Sequence, residues 1–412
     1  MTSFIYLKSI PILIHTKRDF KQNLLVIDFN NLMFRSLSIM KYSSSVPIKF
    51  DTEDECASFA AKLTQDLLYI IKMFHCPGQK VVLACDSPNS WRKDIYENYK
   101  EGRTKPDYNL KNVYASADRV KEIFSDNGAV VLSAPKTEGD DIISICKKLV
   151  WDEPEFSNTN INIVSADADV RQLVDFQEYS QKYCAVFNEV GRGPQGTRRW
   201  YMSKKTVEWL NSNTCNVMDF FDFNIDSNKS YIKNIINTNK KIVIEECDGQ
   251  DVVLNKVLSG DTSDAIESLY WCYGKTGKKV KISPTKYTKI IESLNVHTIE
   301  ELDAKKKQLK PVLETVFKKP INDMNIEERW ETQKKLVWLN PNIFPESIRK
   351  YEKEFKSQIL ENDFSDFSEK NVKSMLKGTE FETVTEKRKA KDADIFKGLN
   401  KYIDNLNLTE LF

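Results

Sequence analysis

Four short apolar runs punctuate the first half of the chain, and each closes on a polar or acidic residue: Leu24 to Asp28, Val81 to Asp86, Ala129 to Ser133, and Ile161 to Ser165. The first three are continuous rather than alternating, as in strands covered on both faces, and the fourth is broken only by Asn162. Helical patterns separate them. Phe59, Leu63, Leu67, Ile70, Ile71 and Phe74 recur at helical spacing, and a second helix near Ala115 to Asn127 stops at Gly128, a favoured C-terminal cap. A third helix opens from Thr137, and after the fourth run Val170, Leu173 and Val174 share one side of a short helix. Strands alternating with helices predict an α/β fold, a doubly wound parallel sheet flanked by helices.

Beyond Asp175 this rhythm breaks. Residues 183–250 are largely rich in Asn and Lys with weak periodicity, and predict an insertion into the core of 24–182. Order returns at Asp251 to Ile266, and charged helical sequence continues to about residue 360, which predicts a helical subdomain over 251–360. Residues 1–23 read as a short extension and 361–412 as a polar tail with an apolar end.

Composition narrows the chemistry. A net charge of +1 excludes a polycation, so affinity for nucleic acid has to come from local patches. Eight Cys without a C-x-x-C pair and three His (His15, His75, His297) argue against a zinc cluster and for reduced, cytosolic thiols. The same scarcity of His disfavours a Ser-His-Asp triad. No apolar run approaches the ~18 residues of a membrane span.

Acids collect at the ends of the predicted elements: Asp28, Asp86, Glu138, Asp140, Asp141, Asp167, Asp169, Asp261 and Asp264. The carboxyl edge of an open α/β sheet is where such folds place their sites. Like charges converging there repel and raise one another's pKa unless cations neutralise them. Hard divalent cations with oxygen ligands meet that need, and Mg²⁺ suits sparse carboxylates plus water. Two such ions, roughly 4 Å apart, support in-line displacement at phosphorus.

A second group of residues combines cations with rings. Between Trp91 and Lys105, Arg92, Lys93, Lys100, Arg103 and Lys105 interleave with Trp91, Tyr96 and Tyr99, a pattern suited to phosphates and unpaired bases. Lys275, Lys278, Lys279, Lys281, Lys286 and Lys289 form a patch without an acid between Gly274 and Lys289. Arg192, Arg198, Arg199, Lys204 and Lys205 form a third patch, which reads better as a charged surface than as a binding site. Gly191 to Gly196 matches G-x-G-x-x-G literally, yet holds Pro194 and opens no convincing helix, so it reads as a loop.

The ordered motifs IDFNN (27–31), ACDSPNSWRKDIYENYKEGR (84–103), EGDD (138–141), SADAD (165–169) and SGDTSD (259–264) resemble the 5′ nuclease family. That family includes flap endonucleases and the 5′→3′ exonuclease domains of bacterial polymerases, and the likeness is nearest to its phage branch, that of T-even phage RNase H. The resemblance implies a PIN-like domain, a helical arch at about 88–115, and a helix-hairpin-helix-like element within 251–360. It implies two Mg²⁺ ions, for which Mn²⁺ can substitute. Asp28, Asp86 and Asp140 match the first-site ligands, with Glu138 and Asp141 around them; Asp167, Asp169 and Asp261 match the second set, with Asp264 supporting. Lys100 and Arg103 match the residues that contact the scissile phosphate. Arg92, Lys93, Tyr99 and Lys105 fall in the implied arch, and Lys275, Lys278, Lys279 and Lys281 where the family grips duplex DNA. After its last aspartates the family carries a Gly-rich turn for a monovalent cation; here Ala265 and Ile266 follow instead.

The implied activity is hydrolysis near 5′ ends of DNA and RNA–DNA hybrids, removing primers and flaps during replication, in a phage protein acting as a monomer in the bacterial cytoplasm. A repair junction endonuclease and a catalytically inactive 5′-end-binding protein are the alternatives. Single-strand-binding protein is an implied partner. Leu408, Leu411 and Phe412 resemble the C-terminal peptides that dock on sliding clamps, while Phe396, Leu399, Ile403 and Leu406 fit equally a terminal helix packed on the body.

Overall fold

The computed structural model describes residues 22–362 apart from 45–46, 75–78, 104–105, 193–196, 214–241, 275 and 323. Four strands form where the apolar runs predict them: β1 (Gln22–Asp28), β2 (Lys80–Ala84), β3 (Val130–Leu132) and β4 (Thr159–Val164). They pair in parallel in the order β3-β2-β1-β4. Since β2 lies on one side of β1 and β4 on the other, the chain changes direction at β1, and such a switch point opens a crevice at the carboxyl ends. Asp28 ends β1 at that crevice.

Burial on both faces explains the continuous apolar runs. Leu25 and Ile27 face a core shared with the helices α1 (Phe29–Ser43), α2 (Glu53–Met73) and α4 (Leu110–Ser125). Leu24 and Val26 face α5 (Gly139–Asp152) and the helix Glu352–Glu361. The short helix predicted after β4 is a 3-10 turn, Asp169–Leu173. The implied arch segment is mostly turns: among described residues 88–109 the only helix is the four-residue α3 (Arg92–Ile95).

Within 183–250, where the sequence predicts an insertion, the described residues include strands of the main sheet. After β5 (Asp175–Gln177), β6 (Lys182–Arg192) pairs in parallel with β4; β7 (Thr197–Met202) pairs antiparallel with β6, and β8 (Ile242–Glu246) parallel with β7. All three extend the main sheet, which is therefore mixed. Tyr183 to Phe187 are wholly buried, yet in β7 a buried Arg198 occupies a core position, its guanidinium over the Tyr69 ring. That polar residue masks the strand pattern. The other described cations there are tied down: Arg199 to Glu245, Lys204 to Glu208 and Lys205 to Glu178.

The C-terminal helices build a separate core around Val253, Leu254, Val257, Leu302, Leu313 and Trp330. Its helix Gly249–Ser259 packs on the 3-10 turn after Asp169. The two come so close that a Cβ at Gly249 would stand 2.6 Å from Gln172 O. Between this helix and the helix Pro284–Leu294 lies a β-hairpin, β9 (Trp271–Tyr273) with β10 (Lys279–Lys281), where the helix-hairpin-helix expectation has a simple turn. No helix among the described residues is long and apolar enough to cross a membrane.

One glycine decides how this subdomain reaches the crevice. Gly260, with φ +76°, turns the chain out of its helix toward Asp261; an added Cβ would stand 2.4 Å from Glu267 C and 2.5 Å from its carbonyl oxygen. Gly260→Ala combines a disfavoured φ with a backbone clash and destabilises by more than about 1 kcal/mol. Urea unfolding of the variant measures this, and an unchanged midpoint contradicts it.

Candidate metal centre

The IDFNN motif works by tying three strand ends together. Asp28 caps α1, accepting from Asn31 N–H at 3.1 Å. Asn30 Oδ1 accepts from Asp86 N–H at 3.1 Å and Asn31 Oδ1 from Ala166 N–H at 3.0 Å, so neighbouring Asn side chains hold the ends of β2 and β4 beside β1. Gly139 opens α5 with its N–H 2.6 Å from Asp86 Oδ1. A Cβ there would lie 3.1 Å from Asp86 Oδ1, a tight contact, and 3.5 Å from Asp28 Oδ1, so both carboxylates border this glycine.

Burial pushes Asp28 up to about 7, with Asp86 adding to the effect, and it pushes Asp86 and Asp140 up as well. Asp140 Oδ1 is shut off from water without a hydrogen-bond donor; its nearest cation is Arg92 Nη1 at 4.0 Å. A buried, undonated carboxylate oxygen is an unfavourable arrangement unless a cation completes it. These hard oxygens suit a divalent metal ion: carboxylate oxygens of Glu138, Asp140 and Asp141 lie within 4.8 Å of one another, and those of Asp28 and Asp86 flank Gly139 beside them.

The remaining two acids of EGDD have other partners. Asp141 is fully buried and meets Arg92 Nη2 at 2.8 Å, Trp91 Nε1 at 3.0 Å and the Glu138 N–H at 2.9 Å. It therefore locks the start of α5, while an oxygen of its carboxylate stays within 4.8 Å of oxygens of Glu138 and Asp140. Glu138 receives Arg92 Nη1 at 2.8 Å, Tyr99 OH at 2.9 Å and Lys100 Nζ. Burial alone would raise its carboxyl, but Arg92 and Lys100 outweigh this and hold it down to about 2.

A second cluster lies beyond. Oxygens of Asp169, Asp261 and Asp264 approach within 4.8 Å of one another. Asp261 accepts from Ser263 N–H at 2.8 Å and Oγ at 2.6 Å and pairs with Lys256, which together overcome burial and bring it down to about 2. Asp169 pairs with the same lysine, yet burial and Asp167 push it up to about 7. Asp167 is exposed and joins the clusters: its N–H donates to Ser165 Oγ at 3.0 Å, and that hydroxyl donates to Asp28 at 2.8 Å. Tyr99 closes the ring on the far side, its hydroxyl 2.9 Å from Glu138 and 3.0 Å from Asp264. The acids thus make one continuous centre with two lobes.

The expected nucleic-acid contacts divide. Arg92 is 1% exposed, with its Nε on Leu336 O at 2.9 Å, so it serves as a buried counter-charge rather than a phosphate contact. Tyr99 is buried between the acids and cannot stack on bases. Lys93 is exposed, and Arg103, 57% exposed, reaches Asp264 at 2.7 Å. Lys278, Lys279 and Lys281 are exposed on or beside the β-hairpin, Lys279 lying 3.9 Å over the Trp271 ring and 3.0 Å from Glu267. Lys105 and Lys275 lie outside the described residues, as does the C-terminal peptide. Lys256 and Ser165 escape the sequence pattern: a lysine in a last helical turn and a serine after a strand both read as ordinary surface residues.

The crevice at the switch point of this PIN-like sheet therefore carries two lobes of carboxylates. Residues 23–201 match the family model of the 5'-3' exonuclease, N-terminal resolvase-like domain. Among solved structures the chain is similar to the T5 D15 protein co-crystallised with metal ions, at 14% identity, TM-score 0.48, and coverage of 82% of this chain and 99% of that one. It is also similar to the bacteriophage T5 D15 flap endonuclease in a pseudo-enzyme–product complex with DNA and metal ions (14%, TM-score 0.43, 86% and 98%). A third is the catalytic core of Rad2 with DNA substrate (11%, TM-score 0.39, 89% and 93%). No curated protein matches the sequence.

Proposed function

We propose that this chain is a divalent-metal-dependent 5′ nuclease that hydrolyses phosphodiesters near the 5′ ends of DNA and RNA–DNA hybrids, with Mg²⁺ as the working ion and Mn²⁺ as a substitute. The observation that carries the reading is the undonated, buried Asp140 Oδ1 beside Asp28 and Asp86, in a domain of 5′-3′ exonuclease type. A protein that only guarded 5′ ends would gain nothing from keeping these carboxylates at the cost of burial.

Asp28, Asp86 and Asp140 would hold one ion, and Asp169, Asp261 and Asp264 a second, with Asp167 between them. When bound, such ions supply positive charge to both the attacking and leaving oxygens of an in-line displacement. The chain's own cations flank that position. Lys100 and Arg103 leave their acids, Glu138 and Asp264, to take the scissile phosphate, and Asn30, Asn31 and Gly139 keep the carboxylates in register. Exposed Lys278, Lys279 and Lys281 would meet duplex phosphates. Removal of RNA primers and short flaps by a monomer at replication forks, with the tail on a sliding clamp and single-strand-binding protein nearby, is the setting this reading fits.

The test is the need for a 5′ end. A 5′-labelled RNA primer on DNA and a 5′-flapped DNA duplex should both yield short labelled products in Mg²⁺. A closed circular single strand should stay intact. Equal cutting of the circle would contradict a 5′-end nuclease.

A further inference from the structure

Lys256 lies in the last turn of the helix Gly249–Ser259, and its ammonium bridges Asp169 and Asp261, touching an oxygen of each. The two acids come from opposite walls of the crevice, one from the turn after β4 and the other from the turn after Gly260. An ammonium between such carboxylates fills the volume that a divalent ion shared by them would take.

The two lobes differ in this respect. In the first, Lys100 pairs with Glu138, and the cation beside Asp140 Oδ1 is Arg92 Nη1 at 4.0 Å. A lysine thus bridges two carboxylates of the second lobe. Charge points the same way. Three carboxylates, those of Asp169, Asp261 and Asp264, pair with only Lys256 and Arg103, so exchanging Lys256 for a divalent ion improves neutrality. The exchange is mechanically simple. The Lys256 side chain keeps 22% of its surface exposed, and its flexible four-carbon stem lets Nζ leave without moving the helix.

We propose, resting on the metal-centre reading above, that Lys256 is an internal counter-ion which holds the second lobe in the metal-free protein and must be displaced before a second divalent ion binds. Metal binding is then ordered: Asp28, Asp86 and Asp140 fill first, and the second lobe fills only at the expense of the lysine.

Calorimetric titration of the full chain with Mn²⁺ tests this in wild type and Lys256→Met. In wild type two ions bind, the second more weakly. In the variant the second Kd tightens about tenfold, the size expected when one close charge pair no longer competes, while the first is unchanged. A second Kd that is unchanged or weaker in Lys256→Met overturns the proposal but leaves the metal centre standing. No Mn²⁺ binding in either protein overturns the metal-centre reading and the proposal together.

A measurement on wild type alone guards against a variant that folds poorly. Lys256 is modified by an amine-reactive acetylating reagent and read by peptide mass spectrometry, with exposed Lys93 as the internal reference. Saturating Mn²⁺ should raise Lys256 modification severalfold as the ammonium is released. Unchanged or lower modification overturns the displacement. A lysine that merely braced the fold would change the melting temperature when removed, but not the second Kd or its own reactivity toward metal.

Discussion

Asp140→Asn lowers cleavage of a 5′-flapped duplex by about 10³-fold, the factor that roughly 4 kcal/mol of lost transition-state stabilisation produces. It also raises the melting temperature of the metal-free protein. The two effects share one cause. Burial makes the Asp140 charge unfavourable in the absence of metal, and its Oδ1 has no donor. An amide of the same shape removes that charge and with it the proposed ligand. Differential scanning fluorimetry and a labelled-flap assay on one preparation check both arms. Lost activity with a lowered melting temperature would make Asp140 a structural residue instead.

The pH dependence follows the same logic. Asp28 and Asp169 sit at about 7 in the fold because burial opposes their charge, against about 4 for an unfolded Asp. A carboxyl with a raised folded pKa binds its proton more tightly when folded. Its stabilising contribution is complete below about pH 4 and is lost as pH rises through about 7. Glu138 and Asp261, held down to about 2, work in the opposite sense, and their contribution is lost as pH falls toward 2. The metal-free melting temperature should therefore peak in mildly acid solution and decline toward pH 8. Mg²⁺ should restore most at the alkaline end. A stabilisation by Mg²⁺ that is equal at pH 5 and pH 8 would contradict this.

Arg92→Met unfolds or strongly destabilises the protein, by about 3–5 kcal/mol, because it leaves buried carboxylates without their counter-charge. The guanidinium meets Glu138 and Asp141 at 2.8 Å each and Leu336 O at 2.9 Å, so it fastens α5 to α3 and to the C-terminal helix Ile326–Val337 at once. Arg92→Lys recovers little, since one ammonium cannot replace a fork of donors aimed at three acceptors. Urea denaturation gives the stability and a filter-binding assay gives DNA affinity. If Arg92→Met keeps its unfolding midpoint and loses only DNA affinity, the residue is a phosphate contact and the buried-hub assignment is wrong.

Much of this architecture is legible in the chain because parallel strands buried on both faces are continuous apolar runs. Leu24 to Ile27 and Val81 to Ala84 are such runs. The acids are legible for a related reason: a charge that ends such a run must lie at the sheet's edge. What stays hidden is what the acids touch. Arg92 and Tyr99 sit in a polar, aromatic segment that reads as a nucleic-acid surface, and only the packing of the C-terminal core against them shows that they are buried. Lys256 is hidden in the same way, since its partners lie 87 residues before it and 5 after it in sequence. The strands β6 to β8 are obscured because Arg198 interrupts the apolar pattern and a long Asn- and Lys-rich stretch separates β7 from β8.

The central claim is that the acid-lined crevice hydrolyses phosphodiesters only with divalent metal in place. The most direct measurement is release of short products from a 5′-labelled, 5′-flapped duplex, in Mg²⁺ and in EDTA, by wild type and Asp167→Ala. Products from wild type in Mg²⁺ alone are the predicted result. Tight binding of the flap with no cleavage by wild type in either Mg²⁺ or Mn²⁺ would contradict the claim and leave a protein that only holds 5′ ends.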